Sequence, residues 1–285
     1  MISAKSILQH LKQELRNLYE PQEADSIASW LMEEFFGLRP VDIIAGKQPD
    51  LQGFERWQEA LPLLRRHMPV QYVLGYSWFA GHRFAVGEGV LIPRQETEQL
   101  VRMAADFLSN TTKEQPIVVD LCTGTGCIAH SLSLLYPAAA VYAIDNSPQA
   151  LNYAHLNARH LGAATLVKEA DVLSPTLAEN LPLCDVIVSN PPYVRQSEQV
   201  QMHARVLNFE PPCALFVPDS KPLVFYEAIA QTAMQCLKAG GWIGVEINEA
   251  LGEATATVFR QMGFTQVAVR QDLHGKDRFV VARKC

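Results

Sequence analysis

The sequence predicts an α/β protein: a mostly parallel sheet with helices on both faces, preceded by a small helical bundle and a β-hairpin linker. Three observations carry this prediction. From Ile117 onward, short apolar runs alternate with helical stretches, the pattern of a parallel sheet wrapped by its crossovers. The N-terminal part carries helical periodicity alone. Between the two lies an aromatic-rich run over residues 76–86, turning around Gly81-His82, which reads as a hairpin.

Each element follows from its pattern. Residues 3–19 set Ile7, Leu8, Leu11, Leu15 and Leu18 three and four apart on one helical face. Residues 23–36 repeat this with Ile27, Trp30, Leu31 and Phe35, and Gly37 is a stop signal. Residues 52–66 add Phe54, Trp57, Leu61 and Leu64, and helix returns over residues 95–108. Strands are predicted over residues 117–121, 141–145, 165–167, 184–189 and 242–247, with helices over 128–136, 148–161 and 222–237. Residues 265–270 and 278–283 form a closing hairpin. The expected division is a helical domain over 1–73, a hairpin linker over 74–92 and the α/β domain over 93–285.

A chain of 285 residues with 48% hydrophobic and 19% charged residues can build a substantial core. Its net charge of −6 argues against a broad grip on a phosphate backbone, and Arg65-Arg66-His67, the densest basic run, reads as a solvated helix end. The six cysteines, Cys122, Cys127, Cys184, Cys213, Cys236 and Cys285, show no C-x-x-C pair and no zinc-ligand spacing. They read as buried thiols of a reducing compartment, and no metal is expected. The segment from Met1 to Asn17 lacks a signal-peptide core, and no apolar run approaches the ~20 residues of a membrane span. These features predict a cytoplasmic protein without a membrane partner.

Two motifs carry chemistry. Asn190-Pro191-Pro192-Tyr193 follows a buried strand. Each residue before a proline is pushed to extended backbone, and neither proline has an N–H to donate. The result is a stiff corner rich in acceptors beside an aromatic ring, able to hold a flat group bearing an NH2; a lone Asn-Pro pair would read as a stiffened loop. The second motif is a strand running into a Gly-rich turn: Asp120, Cys122, Thr123, Gly124, Thr125 and Gly126. Glycines permit a tight bend and close approach of a ligand, although a Gly-x-Gly alone also suits a structural turn. Asp120 in the turn would repel a pyrophosphate but face a positively charged ligand. Asp145 ends the next strand and can accept from ribose hydroxyls. Asp171 and Val172, at the third strand end, offer a carboxylate and an apolar contact to an adenine, Asp171 reading equally as a turn residue. Acids at three successive strand ends fit S-adenosylmethionine better than NAD.

Together these residues resemble the HemK/PrmC family of release-factor N5-glutamine methyltransferases. Asp120-Leu-Cys-Thr-Gly-Thr-Gly-Cys127 and Asn190-Pro-Pro-Tyr193 carry the resemblance. Ile92-Pro93-Arg94-Gln95-Glu96-Thr97-Glu98, the block from Phe209 to Leu215 and the block from Asp272 to Arg278 extend it in matching order over nearly the whole chain. The resemblance implies a class I S-adenosylmethionine-dependent methyltransferase, Rossmann-like with a seven-stranded sheet. It implies methyl transfer to the glutamine amide of the Gly-Gly-Gln motif of peptide chain release factors, leaving S-adenosyl-L-homocysteine and modulating translation termination. The implied catalytic residues are Asn190, Pro191 and Tyr193, with Pro192 joining them in holding the substrate. The Asn190 side-chain oxygen and Pro191 carbonyl would accept from the NH2, and Tyr193 would pack on the amide plane. Cofactor contacts fall to Asp120, Cys122, Thr123, Gly124, Thr125, Gly126, Asp145, Asp171, Val172 and Asn190. Arg94 and Glu96 would shape the pocket mouth or form a structural ion pair. The helical domain would dock the protein substrate; the enzyme would act as a monomer and require no nucleic acid.

This sequence departs from the family pattern at three places. Cys122 stands where many methyltransferases have Gly, the stretch from Phe216 to Leu223 lacks Gly, and Asn248 replaces a family Gly. Two rivals remain open. An adenine-N6 methyltransferase acting on nucleic acid would use the same corner, because adenine presents a similar NH2; the acidic balance opposes it. A non-catalytic cofactor-binding scaffold would have no use for Asn190.

Overall fold

The computed structural model describes residues 3–285; Met1 and Ile2, at the start of the segment read for a signal peptide, lie outside the described residues. The chain divides after Leu74 into two compact units.

The first unit is helical: α1 (Ala4–Leu15), α2 (Pro21–Phe36), α3 (Pro40–Ile44), α4 (Gly53–Arg65) and α5 (Val70–Leu74). Ser3 caps α1 by accepting from the Ser6 N–H at 3.1 Å. Ile7, Leu11 and Leu15 form its buried stripe. The helix stops at Leu15, short of the expected residue 19, because Pro21 takes the first position of α2. Gly37, at φ +67°, ends α2 in the left-handed cap that the sequence predicts. Leu31, Phe35, Trp57 and Leu64 meet Leu11 in one apolar cluster.

The second unit opens with β1 (Tyr76–Phe79) and β2 (His82–Ala85), a hairpin. Its turn is Ala80-Gly81, both at positive φ, one residue earlier than the sequence reading. Phe79 and Phe84 belong to this unit's own core. Then follow α6 (Glu98–Ser109), β3 (Ile117–Leu121), α7 (Cys127–Leu135), β4 (Ala140–Asp145), α8 (Pro148–Leu161), β5 (Thr165–Glu169) and β6 (Cys184–Ser189). The chain continues through β7 (Val194–Arg195), α9 (Ala204–Phe209), β8 (Phe216–Val217), α10 (Val224–Cys236), β9 (Leu237–Glu246), α11 (Gly252–Gln261), β10 (Thr265–Gln271) and β11 (Asp277–Arg283).

The seven-stranded sheet has the order β10-β11-β9-β6-β3-β4-β5. Pairings β9-β6-β3-β4-β5 are parallel, and β11 is antiparallel to both its neighbours. Every residue of β6 is buried, as expected of a strand covered on both faces. Val119, Leu121, Ile187 and Val245 pack with Tyr226 and Ile229 of α10 and Phe259 of α11. Alternate residues Val118, Val186 and Val188 pack on the opposite face with Leu100 and Val101 of α6 and Leu132 of α7.

Several elements depart from the sequence reading: the short helices α3, α5 and α9 have no counterpart in it, and β9, α11, β7 and β8 differ as follows. β9 begins at Leu237, not residue 242, with Gly240 at φ +73° near a break in register between Cys184 and Val186. Helix α11 has no sequence counterpart, because Thr255, Thr257 and Val258 give it weak helical propensity and burial of Phe259 holds it instead. β7 and β8 form a two-stranded parallel pair that closes the intervening segment into a loop. The cysteines also differ from expectation. All six are free thiols, but only Cys127, Cys184 and Cys236 are buried; Cys122 is half-buried, and Cys213 and Cys285 are exposed. No described helix is long and apolar enough to cross a membrane.

Candidate active site

Strand β3 pairs with β4 on one side and β6 on the other, so the order of the sheet reverses there. Such a switch point opens a crevice outside the C-terminal strand ends. Leu121 is opposite Ser189 across one pairing and Ile144 across the other. The next residues of the three strands are Cys122, Asn190 and Asp145, so topology alone brings the glycine turn, the proline corner and the β4 acid together. A cavity of about 340 Å³ lies at these ends, within the range of small-molecule sites.

The turn after β3 uses three left-handed residues: Cys122 at φ +59°, Gly124 at +57° and Gly126 at +79°. Cys122 therefore occupies a conformation suited to the Gly it replaces, at a strain of about 1–2 kcal/mol. Gly126 has a second reason to lack a side chain, since a Cβ there would lie 2.1 Å from His130 Nε2. Asp145 braces the turn: Oδ2 accepts from the Gly124 N–H and Oδ1 from the Ser147 N–H, each at 2.9 Å. Burial pushes its carboxyl above the ordinary range.

Asp120 lies behind the turn, fully buried. Its Oδ2 accepts from the Thr123 hydroxyl at 2.6 Å and the Ala129 N–H at 3.2 Å, while Oδ1 is buried without a partner. Burial raises its pKa to about 7. The same cause lowers that of His130 to about 4.

The corner after β6 is held from behind by side chains distant in sequence. Asn190 Nδ2 donates to Thr97 Oγ1 at 3.3 Å, and the Thr97 hydroxyl donates to Glu246 Oε2 at 2.6 Å. The Tyr193 hydroxyl donates to Glu246 Oε1 at 3.0 Å. Glu246 ends β9 at 1% exposure, and burial raises its pKa. Burial, with Glu246 beside it, raises that of Tyr193 as well. Asn248 donates to the Tyr193 carbonyl at 3.3 Å and to Glu198 at 2.9 Å, while its own oxygen accepts from the Ala250 N–H. The residue that replaces a family Gly thus ties the corner to the segment after it.

Of the sequence-predicted residues, Cys122, Thr123, Gly124, Thr125, Asp145, Val172, Asn190 and Pro192 lie on the cavity wall. Asp120, Gly126, Asp171, Pro191 and Tyr193 do not. Asp120 was expected to face a ligand, and instead its oxygen is engaged by the turn. Asp171 is exposed, and its Oδ1 accepts from the Leu173 N–H in a local turn. The Tyr193 ring packs against the core around Tyr226 rather than on the wall, drawn there by the Glu246 carboxylate. Arg94 lines the cavity, and its ion-pair partner is Glu210 at 2.6 Å, not Glu96. Glu210 also accepts from the Ile92 N–H. Sequence reasoning missed Thr97, Glu210 and Glu246 as supports. A lone carboxylate in the apolar run from Trp242 to Ile247 was the available signal for Glu246.

Residues 98–210 match the methyltransferase small domain family, and residues 6–75 match the PrmC N-terminal domain family. A release factor glutamine methyltransferase of Bacteroides thetaiotaomicron is 36% identical over 280 residues, covering 98% of this chain and 99% of that one. The chain belongs to the release factor glutamine methyltransferase family. Another of its members, from Flavobacterium psychrophilum, is 35% identical, covering 94% of each chain. Among solved structures, a Thermus thermophilus 16S rRNA N2 G1207 methyltransferase in complex with AdoMet and guanosine aligns at a TM-score of 0.50 and 16% identity, covering 74% of this chain and 50% of that one. That likeness shows the fold, class I methyltransferase architecture; the helical region ahead of it is the segment that matches the PrmC N-terminal domain.

Proposed function

We propose that this protein transfers a methyl group from S-adenosylmethionine to the side-chain amide nitrogen N5 of the glutamine in the Gly-Gly-Gln motif of peptide chain release factors. The observation that carries the reading is the side-by-side placement of Asn190 and the glycine turn across the β3–β6 pairing, in a chain of this family.

The wall fits such a cofactor. The glycine turn leaves backbone exposed to close approach, Asp145 is a fixed carboxylate for ribose hydroxyls, and Ile144, Ala170, Val172 and Phe225 supply apolar surface for a base. Asp120 holds Thr123 in place from behind the turn. When bound, S-adenosylmethionine supplies an electrophilic methyl on a sulfonium.

The acceptor is a poor nucleophile, because the amide lone pair is delocalised. The Oδ1 of Asn190, a residue of the cavity wall, accepts from the glutamine NH2, turning its nitrogen toward the methyl and favouring the positive charge that develops there. Pro192 and Phe216 narrow the wall around that amide. Tyr193 backs the corner from the core side through its bond to Glu246. The nitrogen becomes acidic as the methyl arrives, so its proton passes to solvent without a dedicated base. The helical first unit serves as the docking surface for the release factor, and the enzyme works as a cytoplasmic monomer.

Mass spectrometry of purified release factor after incubation with labelled S-adenosylmethionine should place one methyl on that glutamine. Label in nucleic acid with none in release factor would overturn the assignment in favour of adenine. Asn190→Ala should abolish transfer while S-adenosylmethionine affinity stays within about tenfold, ~1.4 kcal/mol. Unchanged turnover in that variant would remove Asn190 from the mechanism.

A further inference from the structure

We propose that Glu246 and Thr97 are positioning residues that fix which way round the Asn190 amide sits, turning its oxygen to the acceptor. The proposal rests on the role given to Asn190 above.

The argument is one of hydrogen-bond polarity. An ionised carboxylate only accepts. Glu246 accepts from both hydroxyls that reach it, Thr97 at Oε2 and Tyr193 at Oε1, and these two bonds with the Arg278 charge favour its ionised form against the effect of burial. Thr97 has one hydroxyl proton, and it is committed to Glu246. Its Oγ1 can then only accept from Asn190, so the group facing it is the Asn190 NH2. Among the described residues no donor reaches Asn190 Oδ1, and Asn190 stands on the cavity wall. The reversed amide would set two acceptors against each other at Thr97 and present NH2 to an incoming NH2.

Two further observations show that the chain is specified. Thr97 occupies the N-cap position of α6, where a threonine ordinarily accepts from the helix N-terminus, yet it makes no cap bond. Glu246 is buried and, among the described residues, forms no ion pair with any Lys, Arg or His. Burying a carboxylate on two hydroxyls is a poor stabilising device compared with an apolar side chain. Its acceptor-only character is what a glutamine or a leucine would lack.

The test compares Glu246→Gln, Thr97→Val and Thr97→Ser with wild type in the full chain, all near-isosteric. Release factor turnover, S-adenosylmethionine affinity by calorimetry and solvent exchange of the 15N-labelled Asn190 side-chain amide are measured. Glu246→Gln and Thr97→Val should lower kcat about 100-fold. Their cofactor Kd should stay within about threefold. Thr97→Ser, which keeps the hydroxyl, should restore most of the lost kcat. The Asn190 NH2 protons should exchange slowly in wild type and Thr97→Ser, and fast in Thr97→Val. Wild-type kcat in Glu246→Gln, a loss confined to cofactor affinity, or unchanged Asn190 exchange in Thr97→Val would each overturn the proposal. A wild-type enzyme that leaves release factor unmethylated would overturn the functional reading instead; the exchange comparison needs no acceptor and decides the polarity relay by itself.

Discussion

Asp145 uses one oxygen to hold Gly124 and the other to hold Ser147. Each oxygen keeps a lone pair for a ligand, and the backbone bonds fix where those lone pairs aim. Asp145→Ala should weaken S-adenosylmethionine binding at least about tenfold, ~1.4 kcal/mol; an unchanged Kd by calorimetry would take Asp145 out of the site. Asp120 gives a prediction of another kind. Its pKa is raised from 3.8 in the unfolded chain to about 7 in the folded one. Between these values the folded protein holds the extra proton, so this group's contribution to stability is full below pH 3.8 and is lost as pH rises through 7. Asp120→Asn should therefore gain on wild type by roughly 3 kcal/mol between pH 4.5 and 7.5. Urea unfolding at both pH values measures this, and an equal difference at both would refute it. His130 titrates with the opposite sign but is common to both proteins, so it cancels. Asn190 and Asp145 were legible in the sequence because each directly follows or ends an apolar strand. Glu246 also ends an apolar strand, but its role was not legible, because its partner Thr97 is 149 residues away and only the fold joins them.

Elements were legible where local chemistry decided them. Gly37 stops α2, Pro148 opens α8, and β6 is marked by its apolar centre Val186-Ile187-Val188. They were illegible where tertiary burial decided, as in α11, or where pairing spans distant segments, as in β7 with β8. The same distinction separates the role of Asn157 from its sequence context. It lies on α8, fully buried, and its side chain serves three backbone groups. Oδ1 accepts from the Ala85 N–H at 2.7 Å, and Nδ2 donates to the Ala85 carbonyl at 3.1 Å and the Thr125 carbonyl at 3.0 Å. One amide thereby joins helix, hairpin and glycine turn. Asn157→Ala strands all three backbone groups and should destabilise the protein by about 2–4 kcal/mol in urea titration. A loss under about 1 kcal/mol would mean that the hairpin is held elsewhere.

At the scale of the molecule, each unit carries its own core: Leu11, Leu31 and Trp57 in the first, the two faces of the sheet in the second. Residues 75–285 alone should therefore fold and bind S-adenosylmethionine with a Kd within about threefold of the full chain. Methyl transfer to release factor should fall at least about tenfold in this truncated protein, the docking surface being gone. Equal transfer by both would refute the docking role. The cavity belongs wholly to the second unit, and its two halves have different origins. The glycine turn and Asp145 sit on rigid strand ends, whereas Pro211, Cys213 and Ala214 come from the loop that β7 and β8 close. Closing a loop becomes only slowly more unfavourable with length, about 0.6 kcal/mol per doubling. Descendants of this chain can thus lengthen, shorten or rewrite that loop with little threat to folding, while the strand ends, each paired into the central sheet, have no such freedom. Asn190 precedes that loop, directly after β6, so the loop can reshape the rim of the cavity without displacing the corner itself.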